Sequence, residues 1–320
     1  MDTQPITPGL TGSTAQARFR LGIASLFGFV TAQALRDVYL GRLFADLGLY
    51  EVATLAFGTS ALVFGAVLLL FARHQIALLR AQWRLVLILN GTTALAWLSY
   101  FQALRMVEPA AVNLAFCGVA PAAVALFARA GLSSAGEARA GITARLVHAA
   151  LLALVVLLAA IVAGGLSGFA RIDPLIGLGG VALAALAGFA ITAETIFAKR
   201  MNVAGVSPVA LVGVRFLLVT AIAVSMLAVV PAPYAGLTPA ALLLQAGVFL
   251  VILIGPIYLV QLGIALTSPL VCGVISCLGP VLTLALQSAG GGIALSWPML
   301  ALTGVYALLS VTAATLATTR

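Results

Sequence analysis

The stretch FLLVTAIAVSMLAVV, residues 216–230, opens a part of the chain in which no charged side chain occurs before Arg320. Over all 320 residues, 63% are hydrophobic and only 8% are charged, whereas an ordinary soluble domain has about 25% charged residues. A soluble fold of this length has too small an interior to remove that much apolar surface from water. The composition therefore predicts an all-α membrane protein whose outer surface largely faces lipid.

Ten apolar runs approach the length of about 20 residues that a helix needs to cross a bilayer. Because lipid offers no partner for backbone N–H and C=O groups, such runs are expected to be helices. Pro109, Pro208 and Pro269 stand at three of the predicted helix starts, where a missing N–H is tolerated. The ten predicted spans are approximately 21–40, 52–72, 85–104, 109–128, 149–169, 175–198, 207–230, 240–266, 269–288 and 293–318.

The basic residues predict the orientation of these spans. An even number of spans places both termini on one side, and that side holds eleven basic residues, against Arg42, Arg105 and Arg171 on the other. The positive-inside rule then puts both termini in the cytoplasm of a multi-pass inner (plasma) membrane protein. The net charge of +8 does not indicate nucleic-acid binding, because the basic residues are isolated between apolar runs rather than clustered.

The two halves of the chain resemble each other at a shift of about 160 residues. Gly28-Phe29 recurs as Gly188-Phe189, and Thr31-Ala32-Gln33 recurs as Thr192-Ala193-Glu194. Because each copy contains an odd number of spans, five, the second copy enters the membrane upside down, which is typical of transporters. The expected organisation is a cytoplasmic tail over 1–20, a first five-helix repeat over 21–169 and a second over 170–320.

Several stretches resemble a known family. YFQALR at 100–105, with the segment from Pro109 to Pro121 after it, is similar to the third and fourth helices of the EamA domain, and GVSPVALVGVRFLL at 205–218 is similar to the start of its second helix. The resemblance extends from about residue 20 to 318. It implies a drug/metabolite transporter with two EamA domains that exports a small metabolite, such as an amino acid or a similar polar or amphipathic solute. Gly58 stands near the place where the family has an arginine, which only the second half retains, as Arg215.

The resemblance implies that the first, third and fourth helices of each half line a central cavity. Each polar residue on these helices could equally form a hydrogen bond between helices. Together they could surround a small polar or zwitterionic molecule with an apolar part. The candidate substrate-binding residues are Thr31, Gln33, Trp97, Tyr100, Gln102, Asn113, Thr192, Glu194, Tyr258, Gln261 and Ser276.

Ionisable residues inside spans usually have a functional or pairing role. Glu194 is the candidate coupling residue, because residues 191–199 resemble the first helix of the small multidrug exporters, whose glutamate exchanges protons for cations. That resemblance implies cation/proton antiport as an alternative function. The structural alternatives are an ion pair with Arg215 or an interfacial carboxylate near Lys199. Arg36 and Asp37 are expected to reach the membrane interface, or else to form a charged lip on the substrate path.

Other classes of protein find little support. The only two histidines, His74 and His148, lie far apart in the sequence, so no metal or acid–base group of the kind that an enzyme needs is indicated. A membrane-embedded enzyme is a remote alternative, and no cofactor is expected. The expected partners are a small-molecule substrate, the lipid bilayer and, as a candidate coupling ion, the proton; nucleic acid is not among them, and the chain is expected to be a monomer or weak dimer.

Overall fold

The computed structural model describes residues 12–44, 47–132, 142–169, 172–230, 238–267, 269–290 and 293–318. Within these ranges all regular secondary structure is helical. Six of the helices are long and apolar enough to cross a membrane. The prediction of an all-α protein with membrane-spanning helices is therefore confirmed at this level.

The helices follow the predicted apolar runs, and one additional short helix, α3, lies between the second and third runs. The bounds are α1 Gly12–Leu43, α2 Leu49–Phe71, α3 Gln75–Ala81, α4 Trp83–Met106, α5 Pro109–Arg129, α6 Ile142–Ala163, α7 Pro174–Val203, α8 Pro208–Leu227, α9 Pro239–Leu266, α10 Pro269–Ser276, α11 Gly279–Ala289 and α12 Trp297–Thr318. The six helices of membrane-spanning length and composition are α2 and α4 to α8.

Proline and a polar cap together fix several helix starts. Pro208 is the first residue of α8, and the hydroxyl of Ser207 before it accepts a hydrogen bond from the N–H of Ala210 at 3.3 Å. Asp173 caps α7 in the same way, accepting from the N–H of Leu175 at 2.8 Å. Each cap satisfies a backbone donor that the first helical turn leaves without a partner. The predicted starts at prolines 109, 208 and 269 are confirmed.

Several predicted boundaries are wrong. α1 begins at Gly12 rather than at 21, and α6 begins at Ile142 rather than at 149. The fifth run was expected to continue to 169, but α6 ends at Ala163, because Gly164 and Gly165 follow and Gly165 adopts a φ of 67°, which side chains larger than glycine rarely adopt. Gly164 and Gly168, a G-x-x-x-G pair in the sequence, therefore do not share a helix. The ninth run is divided into α10 and α11 at residues 277–278, just before Gly279-Pro280.

Two further irregularities were not anticipated from the sequence. Residues Thr54–Gly58 of α2 form a π-helical turn, and α8 is interrupted at Phe216. Such departures from the regular α-helical hydrogen-bond pattern are common at functional sites. Both place aromatic side chains, Phe57 and Phe216, in the interior of the bundle.

Helices from the two halves pack directly against one another. α1 packs against α9, α4 against α7, α5 against α7, α2 against α8, and α6 against α12. Glycines permit the closest approaches: a Cβ at Gly188 of α7 would lie 2.1 Å from the carbonyl oxygen of Phe116 of α5, and one at Gly263 of α9 would lie 2.4 Å from Leu26 of α1. The backbones therefore meet without intervening side chains, as small residues permit in membrane bundles.

Polar contacts between the halves identify two opposite ends of the bundle. At one, the Glu108 end, Arg42 donates to the carbonyl oxygen of Gly290 at 2.8 Å and Gln287 donates to Glu108 at 3.3 Å. At the other, the Gln75 end, the N–H of Ser207 donates to the side-chain oxygen of Gln75 at 3.0 Å. The interior between these ends contains the charged residues described next.

Candidate functional site

A buried ion pair in the first half joins the neighbours Arg36 and Asp37 of α1. Nε and Nη2 of Arg36 donate to one carboxylate oxygen of Asp37 at 2.9 and 2.8 Å, and Nδ2 of Asn113 donates to the other at 2.7 Å. Arg36 is 8% exposed and Asp37 is 0% exposed. The expectation that this pair reaches the membrane interface is wrong, because Asn113 on α5 and the rings of α4 hold both side chains inside the bundle.

Two aromatic rings of α4 lie beside the guanidinium group. Cζ of Arg36 is 5.2 Å from the ring centroid of Trp97 and 5.8 Å from that of Tyr100, within the range of cation–π attraction. The indole nitrogen of Trp97 and the hydroxyl of Tyr100 are buried and have no hydrogen-bond partner in the described part of the chain. We call Arg36, Asp37, Trp97, Tyr100 and Asn113 the Arg36 site.

Unsatisfied polar groups give the Arg36 site its chemical character. A buried donor left without a partner costs about 1–3 kcal/mol, and such groups in native structures call for an explanation. The indole N–H can only donate, and the phenol can donate or accept. Beside a guanidinium, these donors favour a ligand that carries hydrogen-bond acceptors, above all a carboxylate.

A second buried ion pair joins α7 and α8. Nη2 of Arg215 donates to a carboxylate oxygen of Glu194 at 2.8 Å, and the two side chains are 14% and 5% exposed. Cζ of Arg215 also lies 5.0 Å from the ring centroid of Phe216. Glu194 was expected to pair with Arg215 or to lie near Lys199, and the structure shows the contact with Arg215. Lys199 is exposed and is not the partner of Glu194.

A row of aromatic rings connects the two ion pairs. Trp97, beside Arg36, lies 5.2 Å from Phe57, and Phe57 lies 5.2 Å from Phe216, beside Arg215, measured between ring centroids. The middle and last rings come from the π-helical turn of α2 and the interruption of α8. The two ion pairs are therefore joined by one continuous series of packed aromatic side chains.

The structure brings some of the predicted substrate-binding residues together and separates others. Trp97, Tyr100 and Asn113 meet around Arg36 and Asp37. Thr31 is exposed and Gln33 is half-buried. Among the described residues, neither side chain has a hydrogen bond or ring contact with the Arg36 site.

The remaining predicted residues are engaged elsewhere or fall outside what the structure describes. The side-chain oxygen of Gln102 accepts from Arg105 at 3.4 Å, and the hydroxyl of Thr192 donates to the carbonyl oxygen of Gly188 at 2.8 Å. Ser276, half-buried, is the last residue of α10. The side chains of Tyr258 and Gln261 lie outside the described residues.

From the sequence, Arg36 and Asp37 were expected at the membrane interface or on a lip of the substrate path, and not among the substrate-binding residues. The available signal was an adjacent acid and base inside an apolar run, a combination that is costly in lipid unless the charges are paired. It also did not identify Glu108, which looked like an ordinary loop residue before Pro109. In the structure Glu108 is 1% exposed.

Glu108 joins the two halves at its end of the bundle. One carboxylate oxygen accepts from the N–H of Gly168 at 3.0 Å and from Nε2 of Gln287 at 3.3 Å. The side-chain oxygen of Gln287 in turn accepts from the N–H of Ala110 at 2.9 Å. A Cβ at Gly168 would lie 2.4 Å from the same carboxylate oxygen, so this position fits only glycine without a shift of the glutamate.

Burial raises the pKa of Glu108 to about 7, although the hydrogen bonds from Gly168 and Gln287 act in the opposite direction. No charged group among the described residues contributes to that shift. Because the folded protein holds this proton more tightly than the unfolded chain, the contribution of Glu108 to the free energy of unfolding is greatest below about pH 4.5. It decreases as the pH rises towards 7.

We therefore expect the melting temperature of the detergent-solubilised protein to fall between pH 5 and pH 8. The free energy of unfolding should decrease over this range by an amount on the order of 3 kcal/mol, since one unit of pKa corresponds to about 1.4 kcal/mol. Glu108→Gln keeps an acceptor for Gly168 and Gln287 but cannot ionise, so it should remove most of this decrease. Asp173→Asn, at an exposed carboxylate that caps α7, should retain the decrease in melting temperature between pH 5 and pH 8. If Glu108→Gln and the parent show the same decrease, Glu108 is not the group responsible.

Comparison with known proteins agrees with the architecture and adds no function. No family model matches the chain, and no curated protein matches it. A solved structure, described only as the crystal structure of a protein, superposes with a TM-score of 0.56 over 94% of this chain and 96% of its own, at 20% sequence identity. That similarity concerns the fold alone. Fold and site together define an all-helical protein with helices of membrane-spanning length and a hydrogen-bonded ion pair in its interior.

Proposed function

We propose that this chain is a secondary transporter of the EamA type that carries a small metabolite across the inner membrane, in the direction of export. The Arg36 site is the observation that supports the proposal. A guanidinium and a carboxylate buried among apolar helices are expensive to maintain. Unsatisfied polar donors that converge on such a pair are features expected of a solute-binding site.

The packing of the helices supports an inverted repeat. If α1 corresponds to α7, and α4 to α9, then the contact of α1 with α9 corresponds to that of α7 with α4, and both contacts are present. In the same correspondence α2 matches α8 and α6 matches α12, so the contact between α2 and α8 and the contact between α6 and α12 each join two equivalent helices. This pattern is what two five-helix halves related by a pseudo-two-fold axis would give, and such halves can exchange conformations to alternate access.

The chemistry of the Arg36 site favours a zwitterionic substrate. Arg36, Trp97 and Tyr100 offer donors to a carboxylate. Asp37 is the nearest group able to attract an ammonium group, and the rings of Trp97 and Phe57 offer apolar and cation–π surface. An amino acid or a similar amphipathic solute carries all three features. The solute leaves chemically unchanged, so no catalytic residue and no cofactor belong to this proposal.

Cation/proton antiport through Glu194 is less well supported. The carboxylate is buried and bonded to Arg215 at 2.8 Å. A residue that exchanges its proton needs to lose that partner during the cycle. The contact between Glu194 and Arg215 is therefore assigned to the stability of the second half.

The proposed orientation has both termini in the cytoplasm, with the Gln75 end facing the cytoplasm and the Glu108 end facing outwards. In a cysteine-free background, a cysteine at Asn202 should react with an impermeant thiol reagent only from the cytoplasmic side, and one at Asp173 only from outside. Residue 134, in the arginine-containing loop after α5, lies outside the described residues but should behave like Asn202. If the cysteine at position 173 reacts from the cytoplasmic side, the proposed orientation is wrong.

The decisive test of transport is solute exchange in liposomes that contain only the purified chain. Amino acids and related carboxylates are first screened for an increase in melting temperature, since a ligand present at 100 times its Kd stabilises the native state by about 2.7 kcal/mol. Each stabilising solute is then loaded inside, and uptake of the labelled solute from outside is measured. Exchange that needs solute on both sides supports a transporter. Stabilisation without exchange indicates a binding protein. If no solute gives either stabilisation or exchange, the proposal is contradicted.

A further inference from the structure

A groove opens on the outer surface of the bundle at the Gln75 end. It is formed where α2, α3, α4 and α8 meet, and its volume is about 440 Å³, within the range of about 300–1,000 Å³ typical of ligand pockets. Its walls are almost entirely aliphatic, with Leu69 from α2, Leu79 from α3, Leu87 from α4 and Val214 from α8. The polar exception is Arg80, and Trp83 lies beside it.

The groove has the two parts that a phospholipid needs. Leu69 and Leu87 are each 61% exposed and Trp83 is 55% exposed, so the apolar walls are open to an acyl chain. Arg80 and Trp83 lie at the junction of α3 and α4, at the end of both helices, where aromatic and basic side chains meet the headgroups of a bilayer.

The charge at the mouth of the groove determines which headgroup fits. Residues 52–107 include Arg73, Arg80 and Arg84 but no aspartate or glutamate. The two salt bridges of the described residues lie elsewhere, at Arg36–Asp37 and Glu194–Arg215, so no carboxylate among the described residues pairs with these arginines. Cζ of Arg84 lies 5.4 Å from the ring centroid of Trp83, which brings a second cation to the same rim.

We infer that this groove binds an anionic phospholipid from the leaflet at the Gln75 end, with an acyl chain between α2, α4 and α8 and its phosphate beside Arg80 and Arg84. The bond between Gln75 and Ser207 fixes the start of α3 to the start of α8, so the groove spans a contact between the two halves. The inference requires only that these helices lie in a bilayer. It does not depend on the proposed transport activity.

The experiment uses Trp83 as the reporter. The full chain carrying Trp297→Phe is reconstituted in vesicles of phosphatidylcholine that contain a small fraction of brominated phosphatidylglycerol, or of brominated phosphatidylcholine, and quenching of tryptophan fluorescence is measured. The brominated anionic lipid should reach half of its maximal quenching at a mole fraction at least about five-fold lower than brominated phosphatidylcholine does. Each arginine is worth about 1 kcal/mol at an anionic surface, which corresponds to a factor of about five. Trp83→Phe should remove the preferential quenching, because Trp97 lies inside the bundle.

Matched variants separate this site from general attraction to a charged surface. Arg80→Gln with Arg84→Gln should lower the preference for the anionic lipid by about five-fold or more. Arg129→Gln removes an exposed arginine at the same end of the bundle but outside the groove, and should retain the preference. Equal quenching of the parent by both lipids overturns the inference, and so does a double variant with the parent's preference. All of these changes are on exposed side chains, so helical content and melting temperature should stay at the parent's values.

Discussion

Replacing Asp37 by asparagine is expected to destabilise the protein by about 3–5 kcal/mol and to abolish solute exchange. The substitution removes the only carboxylate paired with Arg36 among the described residues, and a buried charge that has lost its partner is strongly destabilising. The melting temperature of purified Asp37→Asn, compared with that of the parent, measures the first effect. Exchange in liposomes at equal protein incorporation measures the second.

Because the single variant could lose exchange simply by unfolding, a neutral pair is the sharper test. Arg36→Gln combined with Asp37→Asn removes both charges, and the new amide oxygen can still accept from Asn113. The double variant should recover part of the lost stability, since it leaves no uncompensated buried charge. It should remain unable to exchange solute and should no longer be stabilised by the carboxylate ligand.

Arg42→Gln is the matched control. Arg42 lies on the same helix but is exposed and donates to the carbonyl oxygen of Gly290, so its loss should change stability by less than about 1 kcal/mol and leave exchange largely intact. If the neutral pair exchanges solute at the parent's rate, the Arg36 site only stabilises the bundle. The binding site would then have to be sought among the other polar residues.

The helices could be predicted from the sequence because each depends on a local property. An apolar run of sufficient length becomes a helix in lipid wherever its partners lie, and a proline such as Pro208 marks a start by removing an unneeded N–H. The ends were less predictable. α6 stops at Gly164-Gly165, and the π-helical turn at Thr54–Gly58 depends on packing that no local pattern records.

The Arg36 site was only partly predictable, because burial is decided by the neighbouring helix. Trp97, Tyr100 and Asn113 were expected to line a cavity, and they do meet. That Arg36 joins them, rather than extending to the interface, follows from the side chain of Asn113 holding the carboxylate of Asp37. Glu108 was missed for a similar reason, since its partner Gln287 is 179 residues away in the sequence. Contacts of this range are set by how the two halves pack.

The pair of Glu194 and Arg215 leads to the second large prediction. Glu194→Gln should lower the stability by a few kcal/mol, because it leaves the guanidinium of Arg215 inside the bundle without a counter-charge. Contact with the ring of Phe216 compensates only partly, since a cation–π contact is worth about 0.5–2 kcal/mol. The melting temperature of the variant measures the loss.

A compensating substitution distinguishes an ion pair from a coupling residue. Glu194→Gln combined with Arg215→Met removes both charges and keeps an unbranched side chain beside Phe216, so much of the stability should return. Solute exchange, and its dependence on pH, should then resemble those of the parent. Arg200→Gln, at a residue of α7 that donates to the carbonyl oxygen of Gly131 at 3.1 Å, is the control and should change stability by only about 0.5 kcal/mol.

The opposite result would revive the alternative function. If Glu194→Gln melts like the parent but loses pH-driven flux, Glu194 carries a proton and the bond to Arg215 is broken during each cycle. The aromatic row gives that outcome a structural route, because release of Arg215 would free Phe216, and Phe216 packs on Phe57 beside Trp97. An unchanged pH profile in the double variant leaves no such role for Glu194. The Arg36 site, where the unpaired donors of Trp97 and Tyr100 face the only other buried ion pair among the described residues, is then the remaining charged candidate for solute binding.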